Sequence, residues 1–277
     1  MRQSLSDETR KKWSSEPEKP GFPPAITARR TVAWVFASPS LLALSSALAM
    51  MVFFTLRPGI DMSASRWFWT DGFRLGEDPF LVAVRDLNRV LPAILLPALA
   101  CLLLVMPFVP RLRRTLRPHK LLLILTFYGL GPGATVHVLK NLFGRARPRH
   151  IVEFGSNSFF TPVLSIDGSC SRNCSFPSGE SASAIALLAF IILLPEKFRP
   201  SAAAILMPFI VLCSLNRVAM GAHFLSDILI AWPLMFAVFF ALDRPFARHA
   251  LAIDVLFLRK LSGYVARQPR SPGDKSV

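Results

Sequence analysis

A chain of 277 residues with 52% hydrophobic content and a mean hydropathy of +0.44 is too apolar for a soluble globule. Its formal charge of +15 would suit a nucleic-acid partner. No aromatic or fold signal for such a partner accompanies the charge, so nucleic-acid binding is set aside. The expected class is all-α: a polytopic membrane protein built as a bundle of six transmembrane helices.

Residues 1–30 carry Pro17, Pro20, Pro23 and Pro24 among charges and predict a disordered cytoplasmic segment. They are too polar and too long for the charged start of a signal peptide. Ala47-Leu48-Ala49 mimics a cleavage site but lies deep in an apolar run, so the first span is expected to be an uncleaved anchor. The spans are expected at 31–56, 90–109, 120–139, 179–195, 201–219 and 223–242, the fourth being short for a bilayer. A membrane domain then covers 31–242. The remainder, 243–277, forms a basic cytoplasmic tail. In that tail Leu251, Val255, Leu258 and Leu261 recur at helical spacing, with Arg248, Arg259 and Lys260 available to the other face. This pattern predicts an amphipathic helix on the membrane surface.

The basic residues are unevenly placed. Arg29 and Arg30 precede the first span, and Arg111, Arg113, Arg114, Arg117 and Lys120 join the second to the third. Lys197 and Arg199 join the fourth to the fifth, and Arg244 and Arg248 follow the sixth. With six spans these segments share one side, which the positive-inside rule makes cytoplasmic together with both termini. Residues 57–89, 140–178 and 217–223 are left on the external side. There, Arg66-Trp67-Phe68-Trp69 and Phe73 suit a membrane–water interface or a wall guiding a lipid. Cys170 and Cys174 fall in the same region and predict a disulfide in an oxidising compartment. A metal pair is disfavoured because no second ligand pair is near. Cys101 and Cys213, inside spans, are expected to be packing residues.

Three polar clusters stand out against this background. Lys140, Arg145, Arg147 and Arg149 sit on the external side, against the charge trend. Their neutral interpretation is complementing a helix C-terminus. Their functional one is holding phosphate oxygens, by the guanidinium fork and the lysine point charge. Gly144 and Pro148 predict that regular helix ends between them. In Pro177-Ser178-Gly179-Glu180, Ser178 is a credible helix N-cap. The free amides it introduces, that of Gly179 among them, suit an anion. In the third cluster, His223 and Asp227 are four apart, as on one helix face, with Arg217 just upstream. The aspartate can fix the imidazole tautomer and leave the other ring nitrogen free to attack. Such a pair at a span is costly and marks a candidate site.

Together, Lys140-x6-Arg147-Pro148, Pro177-Ser178-Gly179 and Arg217-x5-His223-x3-Asp227 resemble the type 2 phosphatidic acid phosphatase (PAP2) superfamily. The resemblance spans 140–227 and implies a PAP2-like six-span core and a phosphoric monoester hydrolase that uses neither metal nor cofactor. It further implies that His223, oriented by Asp227, attacks phosphorus to form a phosphohistidine. Lys140, Arg147, Ser178, the Gly179 amide and Arg217 would stabilise the phosphate oxygens, and water would then release phosphate. Two positions depart from the pattern: Glu180 stands where the family usually has histidine, and Asn216 where it has serine. The family's histidine is credited with protonating the leaving oxygen. Three roles for Glu180 are therefore open: a general acid, an orienting group with the proton coming from elsewhere, or an impaired site.

Within the family the resemblance extends to the lipid A phosphatases, through Gly144-Arg145-Ala146-Arg147-Pro148-Arg149 followed by the cysteine-bearing loop and Ser178-Gly179-Glu180. The expected activity is removal of phosphate from a lipid at the periplasmic face of a bacterial inner membrane. Undecaprenyl pyrophosphate, phosphatidylglycerophosphate or phosphatidate as substrate, transfer to a lipid headgroup, and lipid-phosphate binding without turnover are the alternatives. The expected partners are the bilayer and a phosphorylated lipid. Oligomeric state is not legible.

Overall fold

The computed structural model describes residues 38–265 except 167, with the backbone alone from 259 onward. The expected disordered segment 1–30 and the start of the first expected span lie outside the described residues, as does the side chain of Leu261. The described residues form ten α-helices: α1 Pro39–Leu56, α2 Gly59–Trp67, α3 Pro79–Val105, α4 Pro110–Thr115, α5 Pro118–Tyr128, α6 Val136–Phe143, α7 Gly179–Ala186, α8 Arg199–Ala219, α9 Leu225–Arg248 and α10 Ala250–Val265. Among the described residues there is no strand, only an isolated bridge between Ile151 and Ser158.

The all-helical membrane architecture is present, but the six expected spans are not equal. Five helical segments are long and apolar enough to cross a bilayer: Pro39–Leu56, Pro79–Phe108, Pro118–His150, Glu196–Ala219 and Leu225–Arg248. The fourth expected span is the shorter Gly179–Leu193. It begins as α7 and tightens into 3-10 helix over Leu187–Leu193. At ordinary rises this gives roughly 26 Å, short of a hydrocarbon core of about 30 Å.

The second span begins at Pro79, well before the expected residue 90. Asp78 caps it, Oδ1 accepting from the Leu81 amide at 2.9 Å, and Pro79 fits the first turn. A hydropathy window misses this start because Arg85, Asp86, Asn88 and Arg89 occupy its early turns. In the third span the ladder widens to a π-helix over Gly129–Thr135. Pro132 lies inside that stretch and lacks the N–H that an α-helical ladder needs there. The helix resumes as α6 and ends at Gly144, whose φ of +55° is the left-handed conformation that glycine adopts without strain.

Helix α9 is the central element, packing against α1, α5 and α7. Ala182, Ala184 and Ala186 are all buried, and their small side chains let α7 sit close to α8 and α9. Leu121, Ile124, Phe127, Ile185, Ala231 and Met235 fill the core around them. Leu48, Val52, Phe53 and Leu56 of α1 point outward, as a lipid-facing helix requires.

The aromatic run of the first connection divides. Trp67 is exposed, whereas Trp69 and Phe73 turn inward onto Phe154 at 6.0 and 5.3 Å between ring centroids. Helix α10 docks through Asp254, which accepts the His119 amide at 2.9 Å at the start of α5. Leu251 and Val255 of the expected apolar stripe are exposed, and Leu258 packs on the core. Cys213 is buried, but Cys101 is exposed and is not a packing residue within the protein.

Candidate active site

Lys140 and Arg147 flank the end of α6, and the loop carrying the cysteines folds over them. The crossing depends on two glycines. A Cβ on Gly144 would lie 2.8 Å from the Gly168 carbonyl oxygen, and one on Gly168 only 2.0 Å from that of Gly144. The Cys170 amide donates to the Gly144 carbonyl at 2.9 Å. The Cys170–Cys174 disulfide is present, with its Cα atoms 5.6 Å apart. Within this clasp Lys140 Nζ donates to the carbonyls of Cys174 and Ser175. Arg147 donates to the Asn173 carbonyl at 3.0 Å and to Asn173 Oδ1 at 2.8 Å. The two cations are therefore positioned by backbone and amide oxygens rather than neutralised by carboxylates.

Ser178 is the N-cap of α7, as expected. Its Oγ accepts from the Ser181 amide at 3.2 Å, and its own amide donates to the Asp227 carbonyl at 3.1 Å. It is fully buried and does not line the cavity, whereas Gly179 does. Glu180, one residue further, is a hub. Asn88 Nδ2 holds its carbonyl at 3.0 Å, and Arg89 Nε donates to Oε1 at 2.8 Å. On the other side, Arg217 Nε approaches Oε2 to 2.6 Å as a close ion pair without hydrogen-bond alignment. His223 Nε2 is 3.8 Å from the same oxygen.

His223 and Asp227 do not share a helix face. His223 lies in the bend after α8, and α9 begins at Leu225 with Asp227 in its first turn. Asp227 Oδ2 accepts from the Phe224 amide at 2.8 Å, so this carboxylate also caps its own helix. Its contact with the imidazole is direct but long. Nδ1 is 3.7 Å from Oδ2, and Ser175 Oγ lies beside the pair, 3.5 Å from Nδ1 and hydrogen-bonded to Oδ2. The i,i+4 spacing thus spans the bend at His223 and the first turn of α9, and the turn just before it is held by Gly221. That residue has φ +60°, and a Cβ on it would lie 2.3 Å from the Phe73 ring.

Behind Asp227 lies a network that the sequence did not suggest. Arg145 Nη1 donates to Asp227 Oδ1 at 2.6 Å and Nη2 to Asp61 Oδ2 at 2.8 Å. Ser226 donates to Asp61 through its amide at 2.8 Å and its hydroxyl at 2.6 Å. The Arg145 guanidinium also lies 4.3 Å from the Phe224 ring centroid. Arg145, Asp61 and Asp227 are all sealed from solvent. Burial pushes the Asp61 carboxyl up from its ordinary range, against the opposing pull of Arg145. Burial likewise holds the His223 imidazole below its usual value. The Asp227 interaction opposes this shift, and the Lys140 charge adds to it.

The clusters converge on one cavity of about 430 Å³, lined among others by Lys140, Arg147, Gly179, Glu180, Arg217 and His223. Asp227 lies behind His223, with Ser175 beside the pair. The cavity also takes in Arg85, Arg89 and Arg149, so six cations and one carboxylate face it. Arg85 and Arg89 belong to the stretch 57–89, whose composition predicts a connection and not a helix. The Asp78-Pro79 helix start was the signal that could have found them. Chemically the cavity offers a compact anion cradle beside a histidine whose Nε2 side faces Glu180 and whose Nδ1 side is backed by a hydroxyl and a carboxylate.

The pattern of the PAP2 superfamily matches residues 120–248. The chain is 33% identical over 211 residues to a Lipid A 4'-phosphatase of Rhizobium leguminosarum, covering 70% of this chain and 90% of that protein. It is 28% identical over 187 residues to a Lipid A 4'-phosphatase of Francisella tularensis subsp. novicida, covering 64% and 82%. Its fold is similar to the crystal structure of a transmembrane PAP2 type phosphatidylglycerolphosphate phosphatase from Bacillus subtilis. The TM-score is 0.53 and the identity 21%, over 76% of this chain and 96% of that one. The chain belongs to the PAP2 superfamily. It is a membrane-embedded phosphoric monoester hydrolase.

Proposed function

We propose that the chain removes a phosphate from a membrane lipid at the periplasmic face, with lipid A as the leading substrate. The observation that carries the mechanism is the placement of His223 between the cavity and the Ser175–Asp227 pair. In the proposed reaction Nε2 attacks phosphorus and forms a phosphohistidine. Ser175 and Asp227 hold the Nδ1 side and favour the imidazolium that develops. Lys140, Arg147, Arg217 and the Gly179 amide stabilise the equatorial oxygens. Water then cleaves the N–P bond. Ser178 serves this site by starting the helix that presents the amide, not by touching phosphate.

Glu180 is assigned the orienting role. Two guanidiniums engage its carboxylate, and a general acid there would have to carry a proton in competition with both ion pairs. Lipid A is favoured by the two relatives named Lipid A 4'-phosphatase. The periplasmic orientation, with cytoplasmic termini, is supported by the positive-inside distribution; a bacterial inner membrane is the location in keeping with the relatives named Lipid A 4'-phosphatase.

The test uses purified protein in detergent on a panel comprising lipid A, undecaprenyl pyrophosphate, phosphatidylglycerophosphate and phosphatidate, with phosphate release measured for wild type, His223→Ala and Glu180→Gln. Lipid A turnover with an acid-labile phosphoenzyme, lost in His223→Ala while lipid binding persists, is the expected result. Unchanged release in His223→Ala would remove the nucleophile assignment. Preferential turnover of another lipid would replace the substrate. Undiminished activity in Glu180→Gln would exclude the acid role.

A further inference from the structure

Cleaving a phosphate ester leaves negative charge on the departing oxygen, which stands across phosphorus from the attacking nitrogen. Lys140 and Arg147 are anchored in the clasp formed by the cysteine loop. Arg217 lies against Glu180 beside His223. The cation on the opposite flank of Glu180 is Arg89 of α3. Its side chain is 54% exposed, against 4% for Arg217, so it stands on the open side of the cavity, where a lipid leaving group must extend.

Both departures from the family pattern bind α3. Glu180 is gripped by Asn88 and Arg89, and Asn216 Nδ2 donates to the Leu81 carbonyl at 2.8 Å. Asn216 and Arg217 are neighbours in α8, so the same contacts that hold α3 in place also fix Arg89 relative to Arg217 and His223. We propose that Arg89 is a catalytic residue of this enzyme, meeting the charge of the leaving alkoxide, with Glu180 as the group that aims it. The inference rests on the phosphohistidine reading above.

In the first step the Nε2 lone pair forms the N–P bond and the P–O bond breaks, its electron pair passing to the lipid oxygen. Arg89 stabilises that oxygen by charge-assisted hydrogen bonds. A guanidinium does not release its proton in a protein, so the alkoxide takes a proton from water, leaving alcohol and hydroxide. In the second step hydroxide attacks phosphorus and the N–P pair returns to Nε2, so one ester and one water give one alcohol and one phosphate.

The test compares an alkyl phosphate with a nitrophenyl phosphate bearing the same alkyl chain, using full-length enzyme in detergent. The alkyl leaving oxygen is strongly basic and the nitrophenyl oxygen weakly so. Arg89→Ala is expected to lose about 10²–10³-fold in kcat on the alkyl ester and less than about tenfold on the aryl ester. Arg89→Lys should recover part of the alkyl activity, and added guanidinium salt should partly rescue Arg89→Ala on that ester alone. Equal losses on both esters would reduce Arg89 to a structural prop and overturn the proposal, as would no loss on either. Absence of a phosphoenzyme in active wild type would instead overturn the underlying reading, leaving the leaving-group comparison to judge Arg89 separately.

Discussion

Arg145 and Asp61 meet at 2.8 Å across 84 residues of chain, both closed to solvent, and the same guanidinium reaches Asp227 with its other arm. Helix α2 is thereby joined to the first turn of α9, next to the bend that carries His223. One planar fork serves two carboxylates in fixed directions, a task for which an ammonium has no matching geometry. The orientation of Asp227 depends on a residue that approaches neither the cavity nor the substrate.

Arg145→Met should destabilise the protein by about 3–5 kcal/mol, because it leaves two buried carboxylates without their cation. Thermal unfolding in detergent measures this. Adding Asp61→Asn to that variant should restore part of the loss, since one of the stranded charges is then gone. No recovery would mean that the pair is not electrostatically coupled.

Gly221→Ala should cost at least tenfold in kcat. The left-handed φ is unfavourable for alanine by about 1–2 kcal/mol. Its Cβ must also displace Phe73, moving the turn between Arg217 and His223. Gly155→Ala is the control, having φ +81° but open space around its Cβ. It should share the backbone strain yet retain activity. Assays of both variants on one substrate decide the matter.

Reducing the Cys170–Cys174 disulfide, or replacing both residues by serine, should raise KM more than it lowers kcat. The clasp positions Lys140 and Arg147 through the carbonyls of residues 173–175, and a loosened clasp weakens phosphate binding in ground and transition states alike. Steady-state kinetics with and without reductant give the split. A fall in kcat at constant KM would show that the loop acts on the chemical step instead.

His223 should remain neutral on acidification through the ordinary histidine range. Burial is the main cause, followed by the opposing Asp227 and the reinforcing Lys140. A depressed value means that the imidazole accepts a proton only at lower pH, so its lone pair is free throughout the range above. Labelled-histidine NMR can follow it, with His223→Gln identifying its signal among the five histidines. A midpoint at or above 6.5 would contradict the burial argument.

The bundle was legible because long apolar runs have few alternatives in a membrane, and the cavity-lining cations and histidine because such residues are conspicuous at span ends. Other features were hidden for identifiable reasons. Arg85 and Arg89 lower the hydropathy of the helix they begin, so composition moved its start to residue 90. Asp61 and Arg145 are linked by tertiary distance alone, and nothing near either in the chain marks the partnership. His223 and Asp227 have helical spacing without sharing a helix, since the start of α9 falls between them. A serine beside a disulfide loop, as Ser175 is, carries no local sign of a position against an imidazole and a carboxylate.

Glu180 touches Arg89 on one side and Arg217 on the other. The cavity therefore carries its own tethered counter-ion, and in the proposed reaction a phosphate that engages Arg217 would displace a carboxylate instead of entering bare positive charge. The same carboxylate is on hand to reclaim Arg217 when inorganic phosphate departs. On the proposed mechanism, affinity for substrate and ease of product release would be coupled through this exchange, so strengthening the cradle by removing Glu180 would trade turnover for retention.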